Sequence, residues 1–111
     1  MIDKIRLQRL QQIASLIRDR DLSRLSVASA AKAKTESLLT ALDQTQSQAP
    51  ADLGTTVTAH LESRYGTWKA NRRISLNQQL ARDTVDWMQV RSEAQRAFGR
   101  SVVLEKLNKK A

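Results

Sequence analysis

The residues that could do chemistry are few, and none stands in an arrangement that catalysis needs. His60 is the only histidine. With no cysteine and only Glu62 close in sequence, it lacks a ligand set at metal-binding spacing. The three glycines are isolated, so there is no glycine-rich phosphate loop, and the scattered serines and carboxylates lack a base that could activate a nucleophile. We therefore predict a protein that is not an enzyme and that holds no cofactor and no metal.

The charges are more informative than the candidate nucleophiles. The 111 residues carry 19 lysines and arginines against 11 acidic residues, a net charge of +8. Such a balance favours nucleic acid, an anionic membrane or an acidic protein as a partner. The stretch between Ser37 and Ser63 contains no lysine or arginine, whereas residues 1–24 and 82–111 together have a net charge of +6. These basic residues either form a binding surface or only keep long helices solvated.

Two of these partners are disfavoured. Local basic pairs exist at Arg72-Arg73 and Lys109-Lys110, but no basic run is long and no aromatic residues interleave with the basic ones, so nucleic acid is an unlikely partner. No apolar run approaches the roughly 20 residues of a membrane span. The first six residues lack the apolar core of a secretory signal. We expect a cytoplasmic protein.

Any binding surface on this chain must be carried by its helices. The helical periodicity of apolar residues is clearest between residues 76 and 107. Apolar residues recur there at spacings of three, four and seven, which is typical of a helix presenting one seam to a partner helix. Asp83 and Ser101 interrupt this seam. The apolar members are Leu76, Leu80, Trp87, Val90, Ala94, Ala97 and Leu104.

The remainder of the chain predicts a second helix and one connection. Asp3 is suited to capping a helix start, and Pro50 with Gly54 marks a break. We predict helix 1 over about 3–46, a turn over about 47–54 and helix 2 over about 55–108, forming one domain over 1–111: an all-α, long two-helix antiparallel coiled-coil hairpin. The predicted stripe of helix 1, which passes a solvated turn at residues 19–21, comprises Leu7, Leu10, Ile13, Ile17, Leu25, Ala28, Ala31, Leu38 and Leu42.

The hairpin also predicts a register. If the turn centres near residues 50–51, facing residue numbers add up to about 101, because both helices rise equally per residue. Trp87 then faces Ala14, and Trp68 faces Ala33, so that large side chains lie opposite small ones. The predicted hairpin core is Leu10, Ala14, Ile17, Leu25, Trp68, Leu76, Leu80, Trp87 and Val90.

A basic, cysteine-free, two-helix coiled coil of this size resembles the FliJ family of bacterial flagellar export proteins and its YscO-type counterparts in virulence secretion. Two stretches carry the resemblance. The first is residues 7–10, Leu-Gln-Arg-Leu. The second is residues 87–100, which begin at Trp87 and end with Arg-Ser-Glu-Ala-Gln-Arg-Ala-Phe-Gly-Arg at 91–100. The resemblance covers almost the whole chain as a pattern of heptads rather than of invariant residues.

The resemblance implies a non-enzymatic stalk in a type III or flagellar export apparatus, cytoplasmic or peripheral at the inner face of that apparatus. Its paired terminal helices would enter the ring of an export ATPase, and its body would contact the export gate or chaperones. The ring-facing residues would be Arg6, Arg9, Arg96 and Arg100. Two alternatives stay open, a secretion chaperone and a basic coiled coil associated with nucleic acid, and so does homo-oligomerisation. A chaperone needs an exposed apolar patch, of which we expect the seam to leave little.

Overall fold

Two long helices account for nearly all of the structure. A computed structural model describes residues 3–46 and 54–110; it contains helix α1 (Lys4–Gln44, 41 residues) and helix α2 (Thr55–Lys110, 56 residues), and the described residues include no strand. The helices pack along each other in a rod measuring 86 × 18 × 14 Å. The prediction of an all-α, antiparallel two-helix hairpin is confirmed.

The ends of the helices follow from local chemistry. Asp3 caps α1, since its carboxylate accepts a hydrogen bond from the Ile5 backbone N–H at 3.2 Å. Near the C-terminal end of α2, Lys109 and Glu105 form an ion pair one turn apart, at 3.7 Å. Helix α2 runs unbroken through Gly66 and Gly99. Most of the predicted turn, including Pro50, lies outside the described residues.

The predicted register is wrong. Trp87 lies beside Ser29 rather than Ala14, with its indole N–H donating to the Ser29 hydroxyl at 3.1 Å. Other polar contacts across the hairpin join Thr35 to Asp83 and Arg18 to Ser101. Facing residue numbers therefore add up to 118 or 119, about 17 more than predicted. The turn is not the midpoint of the pairing, because α2 is much longer than α1.

Successive layers of this register follow a heptad pattern on both helices. The seam positions are separated alternately by three and four residues, and every residue occupying one is buried or half-buried. Five of the ten layers contain a polar or charged side chain. From the turn side to the open end, where α1 begins and α2 ends, the layers are Leu42–Leu76, Leu39–Leu80, Thr35–Asp83, Lys32–Trp87, Ala28–Val90, Leu25–Ala94, Asp21–Ala97, Arg18–Ser101, Ala14–Leu104 and Gln11–Asn108.

The N-terminal part of α2 extends past the C-terminal end of α1. Residue 44, the last of α1, lies opposite about residue 74, so roughly 19 residues of α2, or about 28 Å, project beyond it. Lys69 and Arg73 reach back from this segment to the end of α1. The Lys69 ammonium donates to the Thr45 carbonyl oxygen at 3.0 Å, and Arg73 pairs with Asp43. Helix α1 has no basic residue in its own last turn, so α2 supplies the cations that its C-terminal dipole favours.

The shifted register changes which residues form the core. Leu76 is buried, and Ala14, Leu25, Leu80, Trp87 and Val90 are half-buried in the seam. Three predicted core residues are exposed instead: Leu10, Ile17 and Trp68. Leu10 and Ile17 stand one position before the seam, which Gln11 and Arg18 occupy, and Trp68 (53% exposed) lies on the projecting part of α2.

Candidate docking surface at the open end of the hairpin

The polar layers of the seam carry defined hydrogen bonds. In one of them, where both residues are buried, the Thr35 hydroxyl donates to the Asp83 carboxylate at 2.6 Å, and the Gln79 amide donates to the other oxygen at 2.8 Å. The Thr35 and Gln79 hydrogen bonds and the charge of Arg82 hold the pKa of Asp83 below its ordinary value, against an opposing effect of burial. Asp83 is therefore an ionised carboxylate inside the seam at neutral pH.

Two further polar layers lie nearer the open end. The Arg18 guanidinium donates to the Ser101 hydroxyl at 3.1 Å, and the Asn108 amide donates to the Gln11 side-chain oxygen. The Asn108 oxygen is buried and has no hydrogen-bond partner among the described residues. These contacts join side chains 83 and 97 positions apart in sequence, so they specify which turns of the two helices face each other.

Trp87 occupies a seam layer and has two cations close to its indole ring. Lys32 places its ammonium nitrogen 4.7 Å from the indole ring centroid, and the Arg91 guanidinium carbon is 5.1 Å from it. Both lie within the range at which a cation is attracted to an aromatic face. Lys32 is thus accommodated at a seam position by the indole ring and by its ion pair with Glu36 on the next turn, at 3.4 Å.

The predicted solvated turn at residues 19–21 is only partly solvated. Asp21 is buried in the seam opposite Ala97, with its carboxylate 3.1 Å from Arg20 and 3.7 Å from Arg24. Arg24 also crosses to Glu93 on α2, at 3.2 Å. Arginine stems thus cover the edge of the seam while their charged heads stay near solvent.

The correct register concentrates the charge at the open end. The open end comprises residues 3–24 and residues 94–110, and together these segments carry eleven basic and four acidic side chains, a net charge of +7. The chain as a whole has a net charge of +8. Almost all of the excess positive charge therefore lies at one end of the rod, which is a sharper asymmetry than the sequence predicted.

The four predicted partner-binding arginines do not form one cluster. All four are exposed. Arg96 and Arg100 lie together on one side of α2, whereas Arg6 and Arg9 lie nearer the tip, about 14–25 Å further along the rod in this register. The predicted basic end is thus divided into two separate pairs of arginines.

An apolar groove runs along the side of the hairpin that carries Arg96 and Arg100. Its volume is about 690 Å³, and its lining exposes far more apolar than polar surface. One wall comes from α1 and the other from α2, with Gly99 contributing no side chain to the second. The lining comprises Leu10, Ile13, Ala14, Ile17, Arg96, Ala97, Gly99, Arg100, Val103 and Leu104.

This groove was not predicted, although the sequence held a signal for it. Apolar spacing alone places Leu10 and Ile17 in the seam, although the polar residues that follow them, Gln11 and Arg18, occupy it. If Gln11 and Arg18 are placed at heptad seam positions, Leu10 and Ile17 lie on the flank of the seam. Together with Ile13 they form a second apolar stripe there. The expectation of little exposed apolar surface is corrected accordingly.

The remaining candidate residues show no further site. His60 is exposed near the start of α2. Within residues 3–46 and 54–110, no three histidine or acidic side chains are grouped so that they could hold a metal ion. Neither α1 nor α2 contains a stretch that is long and apolar enough to cross a membrane.

No protein-family model matches this chain, and neither a curated protein nor a solved structure matches it significantly.

Proposed function

We propose that this protein is a non-enzymatic coiled-coil component of a bacterial type III or flagellar export apparatus. In this role its open end binds the export ATPase ring, and its body contacts the export gate or chaperones. The observation that carries the proposal is the placement of a net charge of +7 at the end of a narrow rod where α1 begins and α2 ends. A thin, highly charged rod end can enter or cap a ring-shaped partner, and its charge attracts an acidic surface.

The dimensions of the hairpin support the same role. The rod is 86 Å long but only 18 × 14 Å in cross-section, which suits a stalk spanning the distance between two assemblies. The resemblance of residues 87–100 to FliJ-type proteins points to the same machinery. Under this proposal Arg6 and Arg9 meet the partner at the tip of the rod.

A second candidate function is that of a secretion chaperone, and the groove is the observation that favours it. A chaperone needs exposed apolar surface, and Leu10, Ile13 and Val103 provide it. A chaperone would hold a segment of an export substrate along this groove. The two candidates differ in where the partner binds: at the tip of the rod or on its side.

The experiment that tests the proposal compares two charge-reversed triple variants. Lys4, Arg6 and Arg9, which are exposed at the tip and outside the groove, are changed to glutamate in one, and Lys34, Arg64 and Arg72, which are exposed outside the open end, are changed to glutamate in the other. Both variants have the same net charge. Association with the purified export ATPase encoded in the same genome is then measured by stopped-flow fluorescence at low salt, after circular dichroism has verified unchanged helicity.

We expect the open-end variant to associate at least about tenfold more slowly, while the control keeps most of the rate of the parent, because rim charges act mainly on association. Equal rates for the two variants would overturn the role of the open end. Loss of affinity for mixed-sequence DNA in the same variant, with no effect on the ATPase, would favour the nucleic-acid alternative.

A further inference from the structure

The groove beside the seam exposes apolar side chains that do not contribute to the packing of α1 against α2. Leu10 is 48% exposed, Ile13 52% and Val103 56%. None of the three occupies a seam layer, so packing between α1 and α2 does not account for them. Surface apolar residues scattered singly are ordinary, whereas a contiguous apolar groove marks an interaction site.

The shape of the groove fits an α-helix. Its walls are ridges of two helices that lie side by side, and a third helix can pack into the furrow between them, as in a helical bundle. On α2 the groove extends from Arg96 to Leu104, roughly 12 Å or a little over two helical turns. The absent side chain of Gly99 opens the α2 wall, with no atom within 4 Å of where a Cβ would lie.

The charges at the groove are of one sign. Arg96 and Arg100 are the only charged residues in its lining, and both are exposed. Neither forms an ion pair with an acidic side chain among the described residues. Their guanidinium groups are therefore available to carboxylates of a bound partner.

We propose that this groove is the docking site for an acidic amphipathic helix of another protein. The apolar face of that helix lies against Leu10, Ile13 and Val103, and its flanking glutamates or aspartates pair with Arg96 and Arg100. The proposal rests on the groove and its charges alone and holds whether or not the partner belongs to an export apparatus.

Two other occupants fit the groove less well. A second copy of this chain would bring another Arg96 and Arg100 toward the first pair in a two-fold symmetric arrangement, and like charges placed together oppose association. An anionic lipid surface would satisfy the arginines, but it is flat at this scale and would leave the floor of the concave groove uncovered. The helix satisfies both the shape and the charge.

The test uses the full chain and a fluorescein-labelled helical peptide of about three heptads. The peptide has leucine at the two seam positions, glutamate at the flanking positions and alanine elsewhere; a control peptide has lysine in place of glutamate. Binding is followed by fluorescence anisotropy at low salt. We expect the glutamate peptide to bind and the lysine peptide to bind at least about tenfold more weakly.

Three variants locate the binding. Ile13→Asp with Val103→Asp should reduce affinity for the glutamate peptide at least about tenfold, whereas Val85→Asp, at an equally exposed site outside the groove, should not. Arg96→Glu with Arg100→Glu should invert the preference toward the lysine peptide. Since all five side chains are exposed, these variants should fold, and urea unfolding verifies that they do.

Each other result overturns the proposal. Equal binding of both peptides, or binding indifferent to Ile13→Asp and Val103→Asp, would show that the groove is not the site. A dimer in sedimentation analysis that Ile13→Asp dissociates would identify a second copy as the occupant. Ile13-dependent binding to phosphatidylglycerol vesicles, without binding of the glutamate peptide, would identify a lipid surface.

Discussion

Thr35 and Asp83 form one layer of the seam, with the threonine hydroxyl donating to the carboxylate at 2.6 Å. A slip of one helix by a heptad would place Asp83 opposite Ala28 or Leu42, neither of which can donate a hydrogen bond from its side chain. A buried acceptor left without a donor is costly, so this pair disfavours neighbouring registers. The Arg18–Ser101 and Gln11–Asn108 layers act in the same direction.

Replacing Thr35 by valine should destabilise the hairpin, because Asp83 then keeps only its bond from Gln79 while remaining in the seam. Replacing both Thr35 and Asp83 by leucine should restore or exceed the parental stability, since an apolar pair does not leave a group unsatisfied. Urea unfolding followed by circular dichroism measures both effects. A double variant less stable than Thr35→Val alone would contradict this account of the layer.

Stability should depend on pH through Asp83. The pKa of Asp83 is lower in the folded protein than its ordinary value of 3.8, so its contribution is fully present above about pH 4. It is lost as the pH falls through the folded pKa, because the unfolded chain binds the proton first. The Asp83→Asn variant should lose this contribution, and its urea midpoint should change less between about pH 5 and 2 than that of the parent.

The register itself can be tested with cysteines, since the chain has none of its own. Ala28→Cys with Val90→Cys should form an intramolecular disulfide under mild oxidation, because these positions share a layer. Ala28→Cys with Arg73→Cys, which the register summing to 101 would pair, should not, because about 25 Å along the rod separates them. Mobility on a non-reducing gel distinguishes the two, and cross-linking of the second pair would restore the original register.

Gly99 offers a stabilising substitution. It lies within α2 at a negative φ, and a Cβ would meet nothing within 4 Å. Gly99→Ala should therefore raise the free energy of unfolding by about 1 kcal/mol, the difference between alanine and glycine in a helix interior. Chemical denaturation measures the gain, and a loss of stability would mean that the groove wall at Gly99 is packed more closely than the structure shows.

The sequence was sufficient for the helices, their approximate ends and the α2 seam, since these depend on local periodicity and capping. The register depends on pairs of residues far apart in the chain, and apolar spacing alone permits several. The informative positions were Gln11, Arg18 and Thr35, polar residues at heptad spacing that match the polar interruptions of α2. Because Gln11, Arg18 and Thr35 are polar, apolar spacing alone does not assign them to the seam. Leu10 and Ile17 then take seam positions, and the groove that they line is not apparent.

The unequal lengths of α1 and α2 have a mechanical consequence. Over most of the rod two helices are joined by polar and apolar layers, and such a section resists bending much more than one helix does, because its material lies further from the bending axis. The projecting part of α2, residues 55 to about 73, has no layer with α1. Among the described residues, the paired section is therefore the stiffer part of the rod, so the open end, with its charge and its groove, moves as one rigid arm.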